Sequence, residues 1–295
     1  MHIGYMAIGV GILADGETIG MAAQRAEHAG FHSIWAPEHI VLLDQYTSQY
    51  PYSPDGKIAA SPTMQFDILD PFATLTFAAA QTTTLRVGTG ICLVPERNPL
   101  TTAKEVATLD KLSGGRFEFG VGIGWLEEEF TALGVPWARR NARTREYLDV
   151  MKRLWTEGET AFEGEFCRFP SVRSYPKPVQ TPHPPIIFGG EGDPALRRVG
   201  EVGDGWFGMN VSVADAKAKI DKIKDYAKAA GRDPGAFEFS ISLGAGVLPT
   251  KDDLKGLQDA GVHQVIVWPF SADLQAVKDN IDKLGDEVVA PAANL

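Results

Sequence analysis

The chain has 295 residues, of which 44% are hydrophobic and 22% charged, and its formal net charge is −10 at pH 7. Barrels that alternate strands and helices often reach this length as one domain, so residues 1–295 are expected to form one domain. The acidic balance disfavours nucleic acid and anionic lipid as partners. No apolar run approaches the roughly 20 residues of a membrane helix, and the first residues do not resemble a signal peptide, so a cytoplasmic protein is expected.

Short β-rich runs alternate with amphipathic helices along the chain. Strands are expected at 2–10, 31–36, 85–93, 116–121, 185–188, 205–209, 237–243 and 262–267. The first helix has Ile19, Ala22 and Ala26 on one face and ends at Gly30. Further helices are expected at 70–80, 98–113, 125–133, around 147–155, from 193, and at 214–230, 251–260 and 273–284. Eight βα units in strict alternation predict a parallel sheet closed into a (β/α)₈ barrel, the TIM barrel of the α/β class.

Two segments interrupt this alternation. Residues 44–66 are rich in Tyr, Pro, Ser and Gly, and residues 158–184 contain five prolines without a clear period. Both are expected to be insertion loops. Long irregular loops often cover functional sites, but the 44–66 loop is equally explained as a tolerated surface insertion.

Glycine-rich turns follow three of the predicted strands. They contain Thr89-Gly90-Ile91, then Gly122-Ile123-Gly124-Trp125, and then Gly189-Gly190-Glu191. In such barrels the C-terminal strand ends carry the site. The turns after the fourth and fifth strands could bind phosphate through backbone N–H groups, or they could need glycine for geometry alone.

His39 is the ionisable residue best placed for proton transfer, because it follows the second strand and imidazole titrates near neutral pH. The adjacent Glu38 is expected to fix its tautomer. The alternative is a histidine merely packed beneath the 44–66 loop.

Other chemistries lack their motifs. There is no G-x-S-x-G elbow, and the six histidines form no HxH or HExxH pair, so no metal site is expected. The Gly120-x-Gly122-x-Gly124 run lacks the third glycine offset of a dinucleotide fold.

Four sequence strings resemble the bacterial luciferase-like monooxygenase superfamily, and within it the F420-dependent oxidoreductases. They are AEHAGFHSIWAPEH (26–39), DPFATLTFAAAQTTTLRVGTGICLVPERNPL (70–100), AKEVATLDKLSGGRFEFGVGIGWLEEEF (103–130) and PPIIFGGEGDPALRRVGEVGDGWF (184–207). The resemblance covers nearly the whole chain. It implies a TIM barrel that binds coenzyme F420 and a small-molecule substrate, in proteins that are often homodimers.

The resemblance also implies residue roles. His39 and Glu38 map onto the catalytic pair beside the deazaflavin, and a non-proline cis peptide is implied at Gly90–Ile91. The implied cofactor-binding positions are His39, Thr89, Gly90, Ile91, Gly122, Ile123, Gly124, Trp125, Glu128, Gly189, Gly190 and Glu191.

The chain departs from the sugar-phosphate dehydrogenase branch at two places. Trp125 replaces a catalytic glutamate, and Leu42-Leu43 stands where that branch has a tryptophan. These apolar residues favour an apolar organic substrate. The function expected is therefore hydride transfer between F420 and such a substrate.

Two alternatives remain open. One is an FMN-dependent two-component monooxygenase of the same fold, supplied by a separate reductase, in which Arg97 or Arg139-Arg140 could meet the terminal phosphate. The other is a non-catalytic protein that binds a flavin or deazaflavin.

Overall fold

Eight parallel strands close into a barrel in the computed structural model, which describes residues 1–58 and 67–295. The described residues contain β1 (His2–Met6), β2 (Ser33–Ala36), β3 (Arg86–Thr89), β4 (Cys92–Leu93), β5 (Phe117–Gly122), β6 (Thr160–Glu163), β7 (Arg168–Val172), β8 (Ile186–Gly189), β9 (Gly205–Met209), β10 (Glu238–Ser242) and β11 (Gln264–Val267). The eight barrel strands are β1, β2, β3, β5 and β8 to β11. Pairing of β3 with β5 and of β1 with β11 closes the ring. The predicted TIM barrel is confirmed.

Helices separate the barrel strands. They are α1 (Gly16–His28), α2 (Pro71–Ala80), α3 (Pro99–Ser113), α4 (Glu127–Ala132), α5 (Arg140–Thr156), α6 (Asp193–Val202), α7 (Val213–Ala229), α8 (Lys251–Asp259), α9 (Leu274–Leu284) and α10 (Ala290–Ala292). Capping explains several starts: Asp15, Asp70 and Asn98 each accept backbone N–H groups of the first turn, and proline follows the latter two caps. Within the described residues, no helix is long and apolar enough to cross a bilayer.

The structure corrects three predicted elements. The first strand ends at Met6 instead of residue 10, since Ala7 and Gly9 have positive φ and turn the chain. The predicted third strand is divided into β3 and β4, with a cis peptide at Gly90–Ile91 between them, and β4 pairs with β5. Residues 158–184 contain the antiparallel hairpin β6–β7, whose short strands follow no clear apolar alternation. The cis peptide itself lies where the family resemblance implied it.

The interior of the barrel is polar at its base and apolar above. At the base, Trp35 Nε1 donates to Ser33 Oγ, which bonds Gln264, and Gln264 in turn bonds Ser240. One step further along the strands lies a buried apolar cluster of Met6, Trp35, Ile187, Phe207 and Ile266. Four partly exposed residues pack on this cluster: Ala7, Ile91, Met209 and Trp268. The C-terminal mouth of the barrel therefore has an apolar floor.

Candidate functional site

His39 is held at the barrel mouth by a buried carboxylate on α4. Its Nδ1 lies 2.8 Å from Glu129 Oε2, and Glu129 is fully buried. Glu129 Oε1 accepts the backbone N–H groups of Ile40 at 2.7 Å and Val41 at 3.1 Å. Because a carboxylate only accepts, Nδ1 carries the hydrogen of this bond, and Nε2 is the ring nitrogen left for a ligand.

The expectation that Glu38 fixes the His39 tautomer is wrong. Glu38 is buried, accepts the N–H of Leu93 at Oε2 (2.5 Å), and accepts at Oε1 from both Nε and Nη2 of Arg97. Arg97 also meets Asp70 and Glu105. Glu38 therefore connects the chain after β2 to β4 and to the segment that follows it. The carboxylate beside His39 belongs to Glu129, which lies 90 residues further along the chain than His39.

Sequence reasoning missed Glu129, although one signal was present. The acidic run Glu127, Glu128 and Glu129 is typical of the solvent-exposed first turn of a helix. Glu129, however, stands four residues after Trp125 and directly before Phe130, which is buried. That spacing places Glu129 on the inward face of a helix, where a buried acid requires a partner.

Ile91 fills the space between the ends of β5 and β8. A Cβ on Gly122 would overlap Ile91 Cδ1, and a Cβ on Gly189 would lie 2.6 Å from the same atom. Thr89, on the other side of the cis peptide, is buried and donates from Oγ1 to the Gly120 carbonyl at 2.7 Å. Packing against Ile91 thus accounts for Gly122 and Gly189 without a ligand.

Two other glycines of the predicted cofactor site have a positive φ angle. Gly124 has φ +76°, and a Cβ there would meet the Phe130 ring at 2.5 Å and Glu96 Oε1 at 3.1 Å. Gly190 has φ +105°. The turns after β5 and β8 therefore need glycine for geometry, and phosphate binding by their backbone remains a prediction.

Arginines gather beside the turn after β5. Arg140 Nε lies 3.4 Å from the Gly124 carbonyl, and its guanidinium stacks on Trp137. Arg198 is buried, bonds Asn141 through Nη1 at 2.5 Å, and its Nε has no hydrogen-bond partner among the described residues. Burial, with Arg145 and Arg140 nearby, lowers the pKa of Arg198 to about 10. Of the arginines named from sequence, Arg97 is occupied by Glu38 and Arg139 pairs with Glu165.

The first part of the predicted 44–66 insertion crosses the barrel mouth. Rings of Tyr46 and Tyr50 pack edge-on against Trp125 at centroid distances of 5.7 and 5.1 Å, and Trp125 in turn contacts His39 at 5.9 Å. On the far side, Asn210 donates to the Tyr52 carbonyl. Residues 44–58 thus form an aromatic roof beside His39, and residues 59–66 lie outside the described residues.

Two predicted cofactor residues anchor this roof. Glu128 accepts from Thr47 N at 2.6 Å and Ser48 Oγ at 2.7 Å; burial opposes the charge, but these hydrogen bonds hold the pKa of Glu128 at about 2. Glu191 accepts the Met209 N–H and the Tyr52 hydroxyl, and burial raises the pKa of Glu191. Both side chains therefore have protein partners, and their contact with a cofactor remains a prediction.

Replacing Gly122 with alanine tests the packing role of Ile91. The new Cβ overlaps Ile91 Cδ1, so we expect Gly122→Ala to lower the free energy of unfolding by about 1–3 kcal/mol in urea titration. Ile91→Val deletes Cδ1, and adding it should restore much of the loss. Gly158→Ala is the control, since no atom lies within 4 Å of a Cβ there. Equal stability of Gly122→Ala and Gly158→Ala would contradict the assignment.

Glu129→Gln tests the hydrogen bond that orients His39. The amide oxygen should keep the Ile40 and Val41 N–H groups, which leaves the NH₂ facing Nδ1. Because an NH₂ group donates, the neutral ring should change from the Nδ1–H to the Nε2–H tautomer. Nitrogen NMR of histidine-labelled protein reads the tautomer directly, with Glu127→Gln as the control. If the His39 ring carries its hydrogen on Nδ1 in both the wild type and Glu129→Gln, the Glu129 contact is refuted.

Comparisons with known proteins agree with this fold. The sequence profile of the family described as luciferase-like monooxygenase matches residues 8–286. An uncharacterized protein of Mycobacterium tuberculosis is 36% identical over 252 residues, covering 85% of this chain and 86% of that protein. The FMNH₂-dependent dimethylsulfone monooxygenase of Pseudomonas putida is 38% identical over 137 residues, 45% of this chain and 38% of that enzyme.

Among solved structures, an F420-dependent secondary alcohol dehydrogenase bound to an F420–acetone adduct superposes with a TM-score of 0.77 at 20% identity. The match covers 99% of this chain and 98% of that one, and it bears on the fold alone. The chain thus resembles an FMNH₂-dependent enzyme in part of its sequence and an F420-dependent enzyme in its fold, and it belongs to the family described as luciferase-like monooxygenase.

Proposed function

We propose that the chain is an F420-dependent oxidoreductase that transfers hydride between coenzyme F420 and an apolar organic substrate. The observation that carries the proposal is a single oriented imidazole, His39 on Glu129, at the edge of an apolar barrel mouth. An apolar cavity with a few convergent polar groups is the usual form of a small-molecule site.

The floor of the mouth suits a flat ring. Ile91, Met209 and Trp268 are partly exposed and rest on the buried apolar cluster inside the barrel. Ile40, Val41 and Leu42 add exposed apolar side chains directly after His39. Such walls exclude water from a hydride-transfer site and offer no partner to a strongly polar substrate.

Polar groups lie at one edge of this floor. We assign cofactor binding to His39, to the backbone of the turns after β3, β5 and β8, and to Trp125. Glu128 and Glu191 would contribute through the roof segment that they hold. Buried Arg198, whose Nε has no hydrogen-bond partner in the described part of the chain, lies near Arg140, and the two guanidinium groups would supply positive charge to an anionic group of the cofactor.

F420, when bound, supplies a ring that accepts or donates hydride. His39 would donate or accept the accompanying proton at Nε2, since Nδ1 is engaged by Glu129. Glu38, which the sequence paired with His39, would act only by fixing the backbone beside it through Arg97.

A second candidate function is supported by the arginines. A terminal phosphate dianion needs concentrated positive charge, and Arg140 lies near buried Arg198, whereas the neighbouring Arg145 is paired with Glu201. With the similarity to an FMNH₂-dependent monooxygenase, this favours an FMN-dependent enzyme supplied by a separate reductase.

Direct titration separates the two functions. Purified protein is titrated with F420 and with FMN, each oxidised and reduced, and dissociation constants are compared. Tight F420 and weak FMN are expected. Tight binding of reduced FMN with no detectable F420 binding would refute the first proposal and favour the monooxygenase.

Replacing His39 with alanine tests the proton role. Loss of a general acid–base typically costs about 10²- to 10⁴-fold in rate, so we expect His39→Ala to lower turnover by that factor. Turnover is followed by F420 absorbance with a panel of apolar alcohols, carbonyl compounds and alkenes. His28→Ala, on the surface of α1, is the control. Full activity of His39→Ala would remove His39 from the mechanism.

A further inference from the structure

A third buried acid stands beside the His39 site. Glu96 ends the short 3₁₀ turn Val94–Glu96 that follows β4, and it is 8% exposed. Neither of its carboxyl oxygens has a hydrogen-bond partner among the described residues. Its Oε1 lies 3.1 Å from the point where a Cβ on Gly124 would stand. The carboxyl group therefore touches the back of the turn to which we assign cofactor binding.

Among the described residues, no positively charged group is left unpaired to act as a counterion for Glu96. The groups acting on it are Glu129 of α4, Glu38 after β2 and Arg97 of its own segment. Arg97 is already shared by Glu38, Asp70 and Glu105, and His39 is bound to Glu129. An ionised Glu96 would thus be a buried charge without donors, the costliest state of a carboxyl group.

The pKa of Glu96 is consistent with this lack of a counterion among the described residues. Burial first, and then the negative charges of Glu129 and Glu38, raise the pKa of Glu96 to about 9 despite the opposing effect of Arg97. At neutral pH Glu96 therefore keeps its proton.

We propose that Glu96 is a positioning residue of the cofactor site: its proton keeps the corner formed by Glu129, His39 and the Gly124 turn from gaining a further negative charge. F420 and FMN both carry negatively charged phosphate groups, and a ring that accepts hydride gains electron density. A carboxylate directly behind Gly124 would oppose both, and little water is there to screen it. The effect on cofactor rests on the proposed function, whereas the proton on Glu96 in the free protein does not.

Unfolding of the free protein tests the first part. Folded Glu96 keeps its proton up to about pH 9, while the unfolded carboxyl loses it near its ordinary value of 4.5. Because the folded state binds the extra proton, stability should fall as pH rises between these values. We expect the urea midpoint of the wild type to fall over this range relative to Glu96→Gln, which carries no titrating group there.

Glu127→Gln is the matched control, because it makes the same glutamate-to-glutamine change at an exposed position on α4. Its midpoint should run parallel to that of the wild type. If Glu96→Gln yields no folded protein, Glu96→Leu serves the same comparison. Parallel curves for wild type and the Glu96 variants would overturn the protonated Glu96.

Cofactor affinity tests the second part. Dissociation constants for F420 and FMN are measured from about pH 6 to about pH 10. For the cofactor that binds, wild-type Kd should rise about tenfold per pH unit above the ionisation of Glu96, and Glu96→Gln should lose that rise.

The two experiments fail in different ways. A pH-dependent unfolding difference with parallel Kd curves would leave Glu96 protonated but overturn its role in the site. Failure of both cofactors to bind at any pH would instead overturn the proposed function, while the unfolding result would still decide the state of Glu96.

Discussion

The hydrogen bonds to the buried Glu129 carboxylate are the constraint on which the candidate site depends. One oxygen receives the His39 ring and the other receives two successive backbone N–H groups. Hydrogen bonds to a buried charge are stronger than neutral ones, and removal of the acceptor would leave all three donors unsatisfied. A single side chain on α4 thereby fixes the ring orientation, the path of the chain after β2 and the edge from which the aromatic roof departs.

The same arrangement occurs at three other irregular segments of the chain. Asp110 of α3 accepts from Val179 and Gln180, and so holds the proline-rich approach to β8. Glu146 of α5 accepts the N–H groups of Glu165, Phe166 and Cys167 in the turn of the β6–β7 hairpin. Glu27 of α1 receives those of Thr83, Thr84 and Leu85 before β3. In each case an acid on a helix gives loop N–H groups the acceptor that a neighbouring strand would otherwise provide.

Local pattern was sufficient to predict the barrel, because each strand and helix buries one face and the caps Asp15, Asp70 and Asn98 mark where helices begin. It was sufficient to place His39 at the mouth, since position at a strand end follows from the order of elements. It could not identify the partner of His39, because that contact joins residues 90 apart in sequence. Adjacency in sequence points to Glu38, yet consecutive residues of an extended chain project to opposite sides. Glu96 was invisible for a related reason: its surroundings are assembled from three separate segments.

The position of Ile91 has a consequence for how this site can vary. Its side chain occupies room that the absent side chains of Gly122 and Gly189 leave free, so the three positions share one fixed volume. Close-packed interiors tolerate exchanges that conserve volume better than additions to it. A larger residue at either glycine position is therefore compatible with the barrel only when position 91 becomes smaller. Exchanging side-chain volume among these three positions would reshape the floor of the barrel mouth while leaving His39 and Glu129 in place. These three positions are therefore suited to substitutions that alter substrate choice.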